Sequence, residues 1–210
     1  MRLKDKVTIV TGGSTGIGRA VTEAYLKEGA KVVVVSYDKD EVDSCVKELG
    51  KVYDSNNILG SVCNVKETND VKRVVKETID KFGRVDVLIN NAQASASGVT
   101  LAEHTTEQFN LALYSGLYAT FYYMKACYPY LCKTKGSVIN FASGAGISGN
   151  FGQCSYAAAK EGIRGLSRVA ATEWSKDGIN VNIICPLAWT AQLEQFKNKF
   201  PEAYEKNVKT

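Results

Sequence analysis

Val7-Thr-Ile-Val-Thr11-Gly-Gly-Ser-Thr-Gly16-Ile-Gly18 decides how the chain folds. The apolar run Val7–Val10 reads as a buried strand that enters a turn spaced Gly12-x-x-x-Gly16-x-Gly18. A helix follows from about Ile17 to Glu28. Each glycine answers a steric need: Gly12 the tight turn, Gly16 a close approach of backbone to ligand, Gly18 close packing of helix on sheet. The helix start then offers N–H groups and a positive dipole end to a pyrophosphate. The spacing differs from Gly-x-Gly-x-x-Gly, and an ordinary glycine-rich turn is an equal reading of these residues alone. The flanking strand and helix give the dinucleotide reading its context.

Outward from this turn, short apolar runs alternate with longer amphipathic ones. Strands are expected at Val32–Val35, Ile58–Val62, Val85–Ile89, Ser137–Phe141 and Val181–Ile184. Helices are expected at Asp40–Leu49, Glu67–Phe82, Glu107–Leu131 (irregular at Ser115-Gly116), Ser155–Lys176 and Gln192–Lys199. Four consecutive valines describe a strand buried on both faces. The alternation implies an α/β fold, a doubly wound parallel sheet with helices on both faces. There is no repeat, low-complexity tract or linker, so residues 1–210 are expected to form a single domain.

Composition narrows the function classes. The 210 residues are 45% hydrophobic and 23% charged, as globular domains are, and the net charge is +4. Lys and Arg are scattered, which argues against nucleic acid. No apolar run reaches membrane-spanning length; Leu111–Leu131 is broken by Ser115, Gly116, Lys125 and Pro129. The six cysteines form no Cys-x-x-Cys pair and no metal-ligand cluster. The start Met-Arg-Leu-Lys-Asp-Lys runs directly into a strand without a signal peptide, so free, mostly buried thiols in a cytoplasmic protein are expected.

A second stretch carries chemistry. In Ser155-Tyr-Ala-Ala-Ala-Lys160, Tyr156 and Lys160 stand four apart on one helix face, with Ser143 thirteen residues before Tyr156. An ammonium beside a phenol favours the phenolate and is expected to lower the Tyr156 pKa from about 10. Tyr156 is therefore a candidate proton donor and acceptor. At the end of the second strand an acid would bind a ribose 2′-hydroxyl and a basic residue a 2′-phosphate. Ser36 and Tyr37 stand there, then Asp38 and Lys39, while Thr15 is not basic. NAD and NADP both stay open, with the balance tipped to NADP.

Thr11-Gly-x-x-x-Gly-x-Gly18, Asp86-Val-Leu-Ile-Asn90-Asn91-Ala92, Ser143, Tyr156-x-x-x-Lys160 and Asn180-x-Asn182 occur in this order. The chain from about residue 4 to 190 resembles the classical short-chain dehydrogenases/reductases. The resemblance implies a Rossmann-type sheet and interconversion of a secondary alcohol and a ketone with NAD or NADP. It assigns proton exchange to Tyr156, ribose binding and tuning of Tyr156 to Lys160, and orientation of the substrate oxygen to Ser143. It places Gly12, Ser14, Thr15, Gly16, Ile17 and Gly18 at the pyrophosphate and Ser36 and Tyr37 at the ribose. Asn64 and Val65 fall at the adenine, and Asn90, Ala92, Pro186 and Thr190 elsewhere along the cofactor. It also implies a homodimer or homotetramer, often through the long helix that here carries Tyr114, Tyr118, Tyr122 and Tyr123.

The sequence departs from the family pattern at four places. Gly116 stands where an Asn usually anchors a water for proton relay to the Lys; Ser115, a backbone carbonyl or a second water could take over. Gln93 replaces the glycine of Asn-Asn-Ala-Gly and could touch substrate. Asn64 replaces an Asp beside the adenine. Leu187 replaces the glycine of Pro-Gly, and with Trp189 it makes that wall more apolar. Members commonly continue into a further helix and a seventh strand, so a sheet without its C-terminal strand and a longer natural product are expected. Leu187, Trp189 and Phe196 favour an apolar substrate such as a steroid or bile acid, with Gln93, Ser143, Cys154, Leu187 and Trp189 around it. A 3-oxoacyl thioester reductase, a sugar or polyol reductase and a non-catalytic nucleotide-binding protein are the alternatives. His104 is expected at the surface.

Overall fold

The computed structural model describes residues 1–208. Strands β1 (Val7–Thr11), β2 (Lys31–Ser36), β3 (Ile58–Val62), β4 (Val87–Asn90), β5 (Ser137–Phe141) and β6 (Asn180–Ile184) form one parallel sheet in the order β3-β2-β1-β4-β5-β6. Helices α1 (Gly16–Lys27), α2 (Lys39–Leu49), α3 (Thr68–Phe82), α4 (Thr106–Ala112), α5 (Ala119–Thr134), α6 (Gly144–Ser148), α7 (Cys154–Trp174), α8 (Ala191–Lys199) and α9 (Pro201–Val208) connect and cover it. A π-helical segment, Leu113–Tyr118, joins α4 to α5, at the place where the sequence signals an irregularity. α6 was not expected from the sequence, and the substrate-covering helix expected over about 190–205 is two helices, α8 and α9, parted at Phe200.

The valines of β2 explain why the sheet is covered on both sides. Val33 and Val35 join Ile9, Val71, Val74, Tyr123, Met124 and Leu131 in one core, under α3 and α5. Val32 and Val34, pointing the opposite way, join Val10, Leu26, Cys45, Leu49 and Ile89 under α1 and α2. Strand order reverses between β2-β1 and β1-β4, so the carboxyl ends of β1 and β4 open a crevice. That switch point is where such sheets bind ligands.

Polar side chains fix this crevice. Asn90 and Asn140 stand opposite each other in the β4–β5 register, and Asn90 Nδ2 donates to Asn140 Oδ1 at 2.8 Å. Asn140 Nδ2 in turn donates to Ser167 Oγ of α7 at 2.8 Å. At the amino end of β4, the buried Asp86 accepts from Val7 N–H, Lys6 and Arg84. Of the cysteines, Cys45, Cys63 and Cys127 are buried, Cys132 and Cys154 half-buried and Cys185 exposed, all with free thiols. No helix among the described residues is long and apolar enough to cross a membrane.

Candidate active site

The glycine turn is built as a cradle. Gly12 (φ 63°) lies so close to the loop after β4 that a Cβ there would meet Asn91 Nδ2 at 2.8 Å. Asn91 Nδ2 donates to the carbonyls of Thr11 and Gly12, and Thr11 Oγ1 accepts from the N–H groups of Asn91 and Ala92. A Cβ on Gly18 would fall 1.9 Å from Gly12 O, so α1 can start against the turn only with glycine there. Gly16 (φ 54°) has open space where its Cβ would be. Thr15, the N-cap of α1, makes no side-chain cap hydrogen bond, which leaves its hydroxyl off the helix N–H groups. Open backbone, bare helix N–H groups and a positive dipole end fit a diphosphate.

At the end of β2, the Ser14 and Ser36 hydroxyls both donate to Glu41 Oε2, at 2.9 and 3.2 Å. Asp38 caps α2 by accepting from Glu41 N–H, while Tyr37 lies exposed. Glu41, unmarked in the sequence reading, is thus the acid at this corner. Asn64 Oδ1 accepts from Lys66 N–H, and Val65 packs on the core. Asn90 is buried and its amide serves the Asn140 bond, yet its Oδ1 has no partner among the described residues. Thr190 caps α8 through Leu193 N–H, and Pro186 lies exposed beyond β6.

Ser143, Tyr156 and Lys160 come together. Ser143 caps α6, where its Oγ accepts from Ala145 N–H at 3.1 Å, and it hydrogen-bonds the Tyr156 phenol. Lys160 is 3% exposed. Its Nζ donates to Phe141 O at 2.7 Å and lies 5.5 Å from the centre of the Tyr156 ring. Burial pulls the Lys160 pKa down to about 8. Burial also raises Tyr156 above 10, against the lowering pull of the Ser143 hydrogen bond. The expectation that the lysine depresses the phenol is therefore corrected. By the pH at which the phenol titrates, Lys160 has already lost its proton, so it no longer favours phenolate there. Arg164, another residue the sequence did not flag, donates to Ser143 O and both Glu161 oxygens and steadies the wall behind Ser143.

On the loop after β4, Gln93 Nε2 donates to Ala94 O and Ala112 O, and its side chain covers Gly116 in the π segment. Ser115 Oγ accepts from Ala94 N–H and donates to Leu111 O. A cleft of about 370 Å³ is bounded by Leu101, Phe151, Gln153, Cys154 and Ala157; Tyr156 itself does not line it. Phe200 closes over Gly98 (φ 90°), whose Cβ would lie 2.3 Å from the ring, and packs at a tilt against Phe196. Leu187 and Trp189 remain exposed, at 79% and 59%, with Trp189 edge-on to the buried Tyr204. The cover over this side thus rests on Phe196, Phe200 and Tyr204. His104 is half-buried rather than superficial: its Nε2 lies 2.9 Å from Ser155 Oγ, next to the phenol in sequence.

Three comparisons bear on this arrangement. The sequence model described as short chain dehydrogenase matches residues 6–202. The 12alpha-hydroxysteroid dehydrogenase of a Clostridium species is 58% identical over 210 residues, covering 97% of this chain and 81% of that protein. The 3-oxoacyl-(acyl-carrier-protein) reductase FabG of Thermotoga maritima is 35% identical over 187 residues, 89% of this chain and 75% of that one. The crystal structure of levodione reductase superposes with a TM-score of 0.91 at 30% identity, covering 100% of this chain and 84% of that one.

Proposed function

The chain belongs to the short-chain dehydrogenase family, an NAD(P)-dependent oxidoreductase acting on CH–OH groups, and we propose that its alcohol is a hydroxyl of a steroid or bile acid. The substrate class rests on one observation, the 58% identity to a 12alpha-hydroxysteroid dehydrogenase over nearly the whole chain. The apolar cleft walled by Leu101, Phe151 and Cys154 and the aromatic pair Phe196 and Phe200 are in keeping with it.

Gly12, Ser14, Thr15, Gly16, Ile17 and Gly18 hold the pyrophosphate, and Asn90, Ala92, Pro186 and Thr190 line the rest of the cofactor. The nicotinamide, when bound, takes or gives the hydride. Ser143 donates its hydroxyl to the substrate oxygen and orients it. Tyr156 exchanges the proton with that oxygen, and a phenol that stays protonated at neutral pH is a ready donor for ketone reduction. Lys160, still mostly charged at pH 7 with a pKa of about 8, binds the ribose hydroxyls and supplies protons to Tyr156. Asn64 and Val65 flank the adenine.

NADP is the proposed preference. β2 ends on Ser36 rather than an acid, and the Ser14 and Ser36 hydroxyls are donors for a 2′-phosphate once the Glu41 carboxylate they serve, which would repel it, swings aside. The exposed, stacked Tyr114 and Tyr118, with Phe121 beside them, make the long helix the proposed face of a homo-oligomer. The test is oxidation of a hydroxysteroid panel with NADP and with NAD, beside Tyr156→Phe and calorimetric titration of each cofactor. Turnover on 12-hydroxysteroids that vanishes in Tyr156→Phe while cofactor affinity persists is the expected result. Undiminished activity of the variant would refute the assignment, and turnover confined to sugars or thioesters would refute the substrate.

A further inference from the structure

The helix that carries Tyr156 and Lys160 starts without a side-chain cap. Gln153 is the N-cap of α7, and its side chain makes no hydrogen bond to the helix N–H groups. That side chain is engaged elsewhere, its Oε1 accepting from Ser97 Oγ at 3.3 Å. Ala157 N–H donates to Gln153 O at 2.7 Å and closes the first turn. Tyr156 lies inside that turn, so its phenol rides on a helix end with orphan N–H groups, the part of a helix that frays.

Helix α4, which packs on α7, starts in the opposite way. Thr105 and Gln108 form a complete capping box. His104 precedes the cap, and its ring meets Phe109 edge-on with centroids 6.4 Å apart, the packing of a hydrophobic staple. The same ring reaches across to α7, where its Nε2 lies 2.9 Å from Oγ of the buried Ser155. The firm end of one helix thus holds the uncapped end of the other. Upstream, Gly98 N–H donates to Gly152 O at 2.8 Å and Val99 pairs with Gln153, so the two segments run side by side into this contact. The staple itself does not call for an imidazole. Nδ1 is buried and has no partner among the described residues, whereas a leucine would pack on Phe109 with no nitrogen left unmet. What the imidazole adds is the bond to Ser155, the residue before Tyr156. A local choice that costs stability in this way points to use at the site.

We propose that His104 is a positioning residue: through Ser155 it braces the uncapped first turn of α7 and so holds the Tyr156 phenol at the substrate oxygen. His104 takes no part in the proton transfer itself. Its role is that of a cap supplied from a neighbouring helix, and the inference rests on the assignment of Tyr156 as the proton donor.

The experiment compares His104→Leu/Ser155→Ala, which removes both polar partners, with His104→Gln, whose terminal amide reaches as far as Nε2. The readouts are kcat and KM, melting temperature, cofactor dissociation constants by calorimetry, and hydrogen exchange of peptides spanning 153–160. The double variant is expected to melt with the parent, because both polar partners are gone together. It should lose about five- to tenfold in kcat, the effect of a lost helix cap, with KM and cofactor affinity within about twofold. Its exchange should quicken over 153–160 and not through the sheet. His104→Gln should keep kcat within about twofold of the parent. Parent-like kcat in the double variant would overturn the proposal, as would a His104→Gln equally slow. A melting temperature that falls in step with kcat, or exchange that rises evenly through the sheet, would reduce the contact to packing and overturn it too. Tyr156→Phe, run alongside, separates the two readings: an active Tyr156→Phe removes the catalytic assignment, while an inert one beside a parent-like double variant removes only the brace.

Discussion

Replacing Lys160 by Met should relieve a pH-dependent strain on the fold. Lys160 is 3% exposed, and burial brings its pKa from 10.5 to about 8. Between those values the unfolded chain holds more protons than the folded one, so stability rises with pH across that window. At pH 7 the buried ammonium opposes folding by about 3 kcal/mol, at about 1.4 kcal/mol per pKa unit; at pH 9.5 the penalty falls to roughly 1.4 kcal/mol. Met has no proton to lose. The stability difference between Lys160→Met and the parent should therefore move by about 2 kcal/mol in the parent's favour from pH 7 to 9.5. The absolute difference also contains the loss of the Phe141 O hydrogen bond, about 1–3 kcal/mol, but that loss does not vary with pH. Urea unfolding of both chains at the two pH values gives the quantity directly. Parallel stability-against-pH curves would refute the reasoning, because they would mean that Lys160 keeps an ordinary pKa inside the fold.

Gly18→Ala places a methyl 1.9 Å from Gly12 O, so α1 must move off the turn. A loss of about 1–3 kcal/mol and cofactor binding weakened more than about tenfold are expected, measurable by melting and calorimetry. Asp86→Ala removes the acceptor shared by Val7 N–H, Lys6 and Arg84 and should destabilise by about 2–3 kcal/mol. Burial opposes the Asp86 charge, but Arg84, Val7 N–H and Lys6 outweigh it and hold the pKa below 3.8. That stability is present above the ordinary carboxylate range and lost as pH falls through the lowered value, so acid unfolding should show a smaller step in the variant. Phe200→Ala opens the cover over Gly98 and should raise KM for an apolar alcohol several-fold more than it lowers kcat, as steady-state kinetics will show.

The strand–helix alternation was legible because each strand carries its own signal. Val32–Val35 announces burial on both faces, and Ile58–Val62 and Ser137–Phe141 match the structure residue for residue. β4 was harder: Val85 is buried and Asp86 N–H does bond Val7 O, yet the named strand begins at Val87. α6 escaped because five residues rich in glycine and serine carry no helical period, and the covering helix expected over about 190–205 is broken in two because Pro201 opens α9. At the site, spacing alone brought Tyr156 and Lys160 to one face. The direction of the Tyr156 shift was out of reach because it depends on how deeply both groups are buried, which neighbours in sequence do not reveal. His104 and Ser155 are fifty-one residues apart, as Ser14 and Glu41 are twenty-seven, and no local pattern marks such pairs.

The polar groups that sequence reading treated singly act as a brace between the two halves of the crevice. Asn91 clamps the glycine turn to the end of β4, Asn90 joins β4 to β5 through Asn140, and Asn140 reaches Ser167 on the helix that carries Tyr156 and Lys160. Each bond sits where burial makes an unmet partner costly, so the chain resists any slip of that helix relative to the turn. Reacting groups must be held to a fraction of an ångström, and here the holding is done by side chains that touch neither reacting atom. Gln93, on the loop after β4, is bonded to Ala112 O at the start of the π-helical turn. Ser115, through Ala94 N–H and Leu111 O, supplies the second tie that keeps the loop in register with the turn.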